Sequence, residues 1–370
     1  KSEVDFDSDT DFDGALNNAP LTAKTDQLIV GGHASLDAGA LSHIVRASYT
    51  DVSTSISNGG VFADETIGQR SKFTYSPSYR FDADQAQITV TGLIDYESED
   101  YERIDTNTLF GDPNQAVSFD TLGLAGEARV TAGAAAFNGS VRRDNNEGQF
   151  DSSTTWRMGA VYNFDFGGRL RASTGTGVKN PTFTELFGYF PGSFIGNPEL
   201  TPETSKSWEV GYDHDFGSLQ TSVTYFDAQL EDEITTQFNA DFTSSPANLT
   251  DNSERSGVEL TVDWVASEQI SVNASATQLT SEDTSGADEI RRPKITASAA
   301  VQWRSAVKSG LRAGLSVDYV GEQDDFNFGA FPAERVTLGA YTLVSASAAY
   351  PIHERLSLTL RAENVLDETV

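Results

Sequence analysis

The sequence predicts an all-β fold: an antiparallel transmembrane β-barrel of about sixteen long strands. Three observations carry this. Polar/apolar alternation with a period of two recurs along nearly the whole chain, and helical periodicity is nearly absent. The alternating runs are long, roughly 10 to 17 residues, where a sandwich or propeller would use strands of ~5–6 residues. Short and long connections alternate strictly, as in an up-and-down meander.

Taken in order, the strands are expected near 25–36, 40–54, 69–81, 85–96, 117–130, 133–143, 153–165, 168–177, 204–216, 218–234, 253–265, 268–280, 291–304, 309–320, 337–350 and 354–365. Turn residues such as Asp37-Ala38-Gly39, Asp165-Phe166-Gly167-Gly168 and Gly217-Ser218 mark the short end. The long connections lie near 55–68, 97–116, 144–152, 178–204, 229–252, 281–290 and 321–337. Each strand has two faces. Trp208, Val210 and Tyr212 oppose Ser207, Glu209, Gly211 and Asp213; Val258, Leu260, Val262 and Trp264 oppose Gly257, Glu259, Thr261 and Asp263; Leu356, Leu358 and Leu360 oppose Ser357, Thr359 and Arg361. Aromatics gather near strand ends, among them Tyr49, Tyr96, Tyr212, Trp264, Trp303, Tyr319 and Tyr350. An apolar face with aromatic ends fits a lipid-facing wall with interfacial girdles. In lipid every backbone group must be paired, so such a sheet has to close. Arg142, Arg143 and Asp144 are expected in a lumen or rim charge network. Glu259, Asp263, Arg312, Asp318, Arg361 and Glu363 are expected to face the lumen.

Composition narrows the function classes. Of 370 residues, 55 are acidic and 25 basic, a net charge of -30. That argues against nucleic acid, which needs a positive surface. There is no cysteine, hence no disulfide scaffold and no thiol chemistry. Four scattered histidines without an HExxH-type pair offer little for a transition metal. No nucleophile–base–acid set stands out, so no enzyme is expected. No run of eighteen apolar residues exists, which leaves membrane crossing to strands, where only alternate residues need be apolar.

The run RASTGTGVKNPTFTELFGYFPGSFIGNPELTPETSKSWEVGY, Arg171–Tyr212, carries a resemblance. It is similar to TonB-dependent outer-membrane receptors, with their K-x-P-x-x-x-E-L element followed by G-N-P-x-L-x-P-E-x-S-x-x-W-E-x-G. SVRRDNN (Ser140–Asn146), SERSGVELTVDW (Ser253–Trp264) and LRAENVLDE (Leu360–Glu368) fit the same pattern in the same order. The layout most resembles the shorter, cobalamin-receptor-like branch, also close to siderophore receptors. The resemblance implies a barrel of twenty-two strands filled by an N-terminal plug. Residues 1–370 are then a partial barrel domain, with the plug and its TonB box, the first strands and the last strand expected outside them. It also implies a bacterial outer-membrane receptor that captures a scarce large ligand, a metal chelate or cobalamin, and imports it with energy from the TonB complex through the plug. Its partners would be outer-membrane lipid, the TonB complex and that ligand. A passive porin or a surface adhesin is the alternative, since sixteen strands alone also suit general porins.

Candidate site residues sit in the long connections. NPTFTELFG, Asn180–Gly188, reads as one short helix with Pro181 in its first turn, Thr182 or Thr184 as cap and Gly188 as its end. It either shapes a ligand mouth or folds the loop back onto the rim. Tyr189, Phe190, Phe194 and Ile195 form one aromatic-rich external loop, either a ligand contact or a small satellite core. In DFDSDTDFDG, Asp5, Asp7, Asp9, Asp11 and Asp13 alternate with other residues before Gly14. Such carboxylates can wrap calcium in a loop, although the EF-hand glutamate is missing. Otherwise they form a solvated acidic strand end.

Overall fold

The computed structural model describes residues 1–8, 17–109, 111–147, 150–190, 192–240, 243–307, 310–327, 329–330 and 332–369. Along the chain the elements are β1 (Ser2–Ser8), β2 (Asn17–Ala38), β3 (Leu41–Asn58), β4 (Val61–Ala83), β5 (Ala86–Asp105), β6 (Gln115–Ala132), β7 (Ala135–Glu147), β8 (Ser153–Asn163) and β9 (Gly168–Lys179). Then come α1 (Phe183–Phe187), β10 (Tyr189–Phe190), β11 (Phe194–Ile195), β12 (Glu203–Asp215), β13 (Leu219–Glu231), β14 (Ile234–Phe238), β15 (Ser244–Asn248), β16 (Ser253–Val265) and β17 (Ile270–Glu282). The last are β18 (Ile295–Arg304), β19 (Arg312–Val320), β20 (Gln323–Asn327), β21 (Glu334–Leu338), β22 (Tyr341–His353) and β23 (Leu356–Ala362).

The main sheet has 17 strands, each antiparallel to the next in sequence once the rim strands β10, β11, β14, β15, β20 and β21 are set aside. This corrects the expected sixteen. The extra strand is β1, which pairs Val4 with Ala23 and Asp5 with Thr22. Its alternation is plain in SEVDFDS, but the carboxylates made it read as loop. One sheet edge is therefore β1. β23 forms the other, and among the described residues no ladder joins them.

The second correction concerns the expected loops near 55–68 and 97–116. β3, β4 and β5 run on through much of both, reaching 18, 23 and 20 residues. β3 and β4 meet at Gly59-Gly60, whose φ values of 58° and 79° are both in the left-handed region. A two-residue turn positive at both positions matches the right-handed strand twist, and glycine takes it without cost. Polar residues along these extensions hid the strand signal.

Cross-strand register sorts the faces. Val223 and Tyr225 on β13 lie opposite Leu260 and Val258 on β16, and Val301 on β18 opposes Leu315 on β19. These apolar rows are exposed, Leu260 at 40% and Leu358 at 50%. On the opposite face Asp95 is only 3% exposed and Thr224 5%. Side chains crowd on the concave side of a curled sheet and splay on its convex side, so the polar face is the lumen and the apolar face the outer wall. No helix among the described residues is long and apolar enough to cross a membrane. An exposed apolar wall of paired strands is what hydrocarbon requires.

The outer wall also shows its limits. At the short-turn end, Tyr162, Phe164, Phe166, His214 and Phe216 form a continuous ring-to-ring belt, with centroid distances from 3.9 to 5.9 Å. Toward the long-loop end, Trp208 stacks near Tyr225 at 5.3 Å. Beyond them on the same face come Lys206 and Asp227, and beyond Val141 comes Arg143. Arg143 was expected in a lumen or rim network; it lies toward the long-loop end but faces outward, and donates to Thr154 Oγ1 at 3.0 Å. One step of alternation separates it from Arg142, which does face inward.

Candidate functional site

The long-loop end of the sheet carries a built rim. Thr182 caps α1: its Oγ1 accepts from Glu185 N at 3.2 Å, and Glu185 Oε2 accepts from Thr182 N at 2.7 Å, a reciprocal capping box. α1 does not stand over the opening. Phe183 stacks on Phe119 at 4.6 Å and on Tyr101 at 5.3 Å, and Phe119 also meets Phe150 and Phe187. Phe119 and Tyr101 come from β6 and β5, so the helix folds the loop back onto the inner wall. Leu186 is fully buried there.

The GNPEL stretch locks this loop. A β-carbon at Gly196 would lie 2.8 Å from Gly188 N and from the Leu186 carbonyl, so only glycine lets the two segments touch. Gly196 N donates to Gly188 O at 2.7 Å and Asn197 N to Glu185 O at 2.8 Å. Asn197 Nδ2 reaches Pro246 O at 3.1 Å, and Asn248 bonds Thr201 at both its amide atoms. Loops 180–202 and 232–252 thereby become one body, with a four-stranded sheet β10–β11–β15–β14. Glu203 Oε1 accepts from Ile234 N at 2.9 Å while its other oxygen pairs with Lys179 at 3.0 Å. The K-x-P-x-x-x-E-L and G-N-P-x-L elements are thus what builds the rim.

The aromatic loop splits into two pairs. Tyr189 opposes Ile195 and Phe190 opposes Phe194, which puts the pairs on opposite faces of their short ladder. Phe190 and Phe194 meet edge to face at 5.9 Å, with the Arg103 guanidinium 4.3 Å from the Phe190 centroid. Tyr189 lies over Gly111, occupying the place of its missing side chain. Phe190 and Ile195 keep exposures of 39% and 42%. Each face of the ladder thus pairs one exposed residue, Phe190 or Ile195, with a more covered partner. Asp5 and Asp7 lie on β1, where Asp5 Oδ1 accepts from Thr22 Oγ1 at 3.1 Å. Asp9, Asp11 and Asp13 fall outside the described residues, so the calcium expectation rests on sequence alone.

A second pair of loops is pinned by charge. Arg255 on β16 reaches Glu233 at 3.0 Å and Glu289 at 2.9 Å, joining loops 232–252 and 283–294. Arg291 pairs with Asp325 at 3.0 Å and Arg335 donates to the Asp288 carbonyl, joining 283–294 to the β20–β21 hairpin, inside which Arg335 also pairs with Asp324 at 2.8 Å. The Arg335 hydrogen bond holds the Asp324 carboxyl below the usual carboxylate range. A depressed native pKa stabilises above the unfolded value and is lost as pH falls through the native one. The Asp324–Arg335 pair across the β20–β21 hairpin is expected to persist from neutral pH to about 4 and to loosen below it. Hydrogen exchange of Gln323 to Asn327 across pH 3–7 on the intact receptor checks this; protection that falls already between pH 7 and 6 contradicts it.

Below the rim the lumen wall holds charge networks that the sequence reading only touched. Arg142 Nη1 donates to Asp95 Oδ2 at 2.7 Å and its Nη2 to Asp144 Oδ1 at 2.5 Å. Lys72 and Arg70 reach Glu97 at 2.7 and 2.6 Å, extending the network to β4. Arg142 lies on β7 and Asp95 on β5, so the guanidinium crosses β6 over Gly123, where a β-carbon would overlap it. Arg171 on β9 does the same over Gly211 of β12 to reach Ser222 and Thr224 on β13. An inward-facing glycine beside an inward arginine one strand away was the signal available.

Residues 2–365 match a family model described as TonB dependent receptor-like, beta-barrel. The chain is 32% identical over 243 residues to the vitamin B12 transporter BtuB of Photobacterium profundum, covering 63% of this chain and 37% of that one. It is 27% identical over 288 residues to BtuB of Vibrio cholerae, covering 76% and 43%. The chain thus spans less than half the length of these curated relatives. In structure it is similar to the siderophore receptor PirA of Acinetobacter baumannii, with TM-score 0.78, 14% identity and coverage of 94% and 59%. It is also similar to the ferric enterobactin receptor PfeA of Pseudomonas aeruginosa, with TM-score 0.77, 14% identity and coverage of 94% and 58%. A long-stranded meander with an apolar outer wall, a charged lumen and a GNPEL-locked rim, matched along nearly its whole length, belongs to the TonB-dependent receptor-like β-barrel family.

Proposed function

We propose that this chain is the translocation barrel of a receptor in the bacterial outer membrane, one that takes up a scarce large ligand such as cobalamin or an iron chelate. Energy would come from the TonB complex acting through a plug held in the lumen. The reading is of a transporter, not an enzyme. The observation that carries it most is the family match across residues 2–365. The named relatives, vitamin B12 transporters and siderophore receptors, support the ligand class. The rim supports it too: joined loops around an opening suit ligand capture better than free diffusion.

A porin or adhesin is the competing reading, and conductance separates them. The intact receptor in a planar bilayer is expected to stay electrically closed, because a filled lumen leaves no aqueous path. Stable open-channel conductance of the porin kind, unaffected by ligand, would overturn the transporter reading.

A further inference from the structure

The charges at the mouth are unevenly committed. The connections at the long-loop end, residues 106–114, 148–152, 180–202, 232–252, 283–294 and 321–340, contain only four cations: Arg291, Arg292, Lys294 and Arg335. All four are already paired with carboxylates of the same end. Arg291 holds Asp325 at 3.0 Å, Arg292 holds Glu289 at 3.3 Å, Lys294 holds Asp288 at 2.8 Å and Arg335 holds Asp324 at 2.8 Å. The inner-wall cations nearest this end are committed as well: Arg103 to Asp105, Lys179 to Glu203 and Arg255 to Glu233 and Glu289. Arg46, Arg157, Arg143 and Lys206 have no carboxylate partner among the described ion pairs, but Arg46 and Arg157 sit mid-strand, below the mouth, and Arg143 and Lys206 face outward from the sheet.

Carboxylates are in surplus. Glu199, Asp232, Asp251 and Glu322 are exposed at this end and take part in no described ion pair. An ionised carboxylate accepts hydrogen bonds and cannot donate them. A like charge brought against such groups is repelled, and the opposition grows with each added charge. A polyanionic ligand needs free donors with positive charge, and in the part of the mouth that this chain builds the loop cations are already paired.

Resting on the uptake reading above, we infer that the ligand of this mouth carries no net negative charge and presents donor groups of its own, such as amides, amines or hydroxyls. Neutral corrinoids and neutral trihydroxamate iron chelates belong to that class. The trianionic ferric tris-catecholates do not. Phe190 on one face of the short ladder and Ile195 on the other each keep an exposed apolar surface of the kind a large neutral ligand uses.

The test is equilibrium binding to the intact receptor with three probes: cyanocobalamin, a neutral ferric trihydroxamate and a ferric tris-catecholate. At least one neutral probe is expected to bind about tenfold or more tightly than the trianion. Raising salt from about 50 to about 500 mM should leave the neutral affinity nearly unchanged and improve the trianion, because repulsion is screened. Two variants probe the cause. Asp324→Asn with Asp325→Asn frees Arg335 and Arg291. Glu199→Gln, Asp232→Asn and Asp251→Asn together remove surplus charge without touching a described side-chain contact. Each set is expected to narrow the gap about threefold. A trianion bound as tightly as the neutral probes, with affinity falling in salt, overturns the inference and leaves the uptake reading standing. If none of the three probes binds, the uptake reading fails and the inference fails with it.

Discussion

Arg142→Leu is expected to cost the intact barrel about 2–4 kcal/mol, the range for breaking a buried ion pair, lowered somewhat by lumen water. Asp95 is 3% exposed and takes two hydrogen bonds from Arg142, at 2.7 and 3.1 Å. Without the guanidinium it keeps only Lys72, at 3.7 Å. Asp144 loses its partner in the same step. The loss is expected to be mostly uncompensated charge, so Asp95→Asn placed on top of Arg142→Leu should recover much of it. Arg142→Lys should recover little, because one ammonium cannot span two carboxylates across Gly123 as the planar fork does. Urea midpoints of the refolded receptor in detergent give the values. An Arg142→Leu variant within ~0.5 kcal/mol of the parent would show that this network is ornamental.

Leu260→Arg should also cost about 2–4 kcal/mol, for a different reason. Leu260 lies on the outer wall between Val258 and Val262, opposite Val223, with Trp264 nearer the short-turn end. A charge there is placed in the apolar band, with nothing to pair it. Thr261→Arg, one residue on, points into the lumen and is expected to change stability by less than about 1 kcal/mol. The contrast between adjacent residues is the informative quantity, since it isolates the face from the strand. Equal costs, or a larger cost at Thr261, would mean that the two faces have been assigned the wrong way round.

Much of the architecture was legible because a barrel wall writes its two environments into alternate residues. Trp208, Val210 and Tyr212 against Ser207, Glu209 and Asp213 needed no tertiary knowledge. The cap of α1 was legible down to Thr182 or Thr184, and the reciprocal bonds of Thr182 with Glu185 decide between them. β1 was not, because Glu3, Asp5 and Asp7 alternate with Val4 and Phe6 in a pattern that a solvated loop shares. The strand extensions near Gly59-Gly60 were missed because polar residues there interrupt the apolar face that marks the strands elsewhere. The rim was legible only as a motif. That Gly196 is a contact surface, or that Gly123 and Gly211 are passages for arginines, depends on which strands become neighbours, and a lone sequence carries that information only weakly. The committed state of the mouth cations was out of reach for the same reason, because Arg291 meets Asp325 across 34 residues.

The measurement closest to the central claim is accumulation of labelled ligand by cells producing the intact receptor, with cyanocobalamin and ferric chelates offered in turn. At least one is expected to bind at the surface whether or not the cells are energised, and to accumulate inside only when they are. Adding a protonophore, or removing the TonB complex, should abolish accumulation and spare surface binding. Accumulation that continues unchanged in de-energised cells would contradict the account and make the barrel a passive pore.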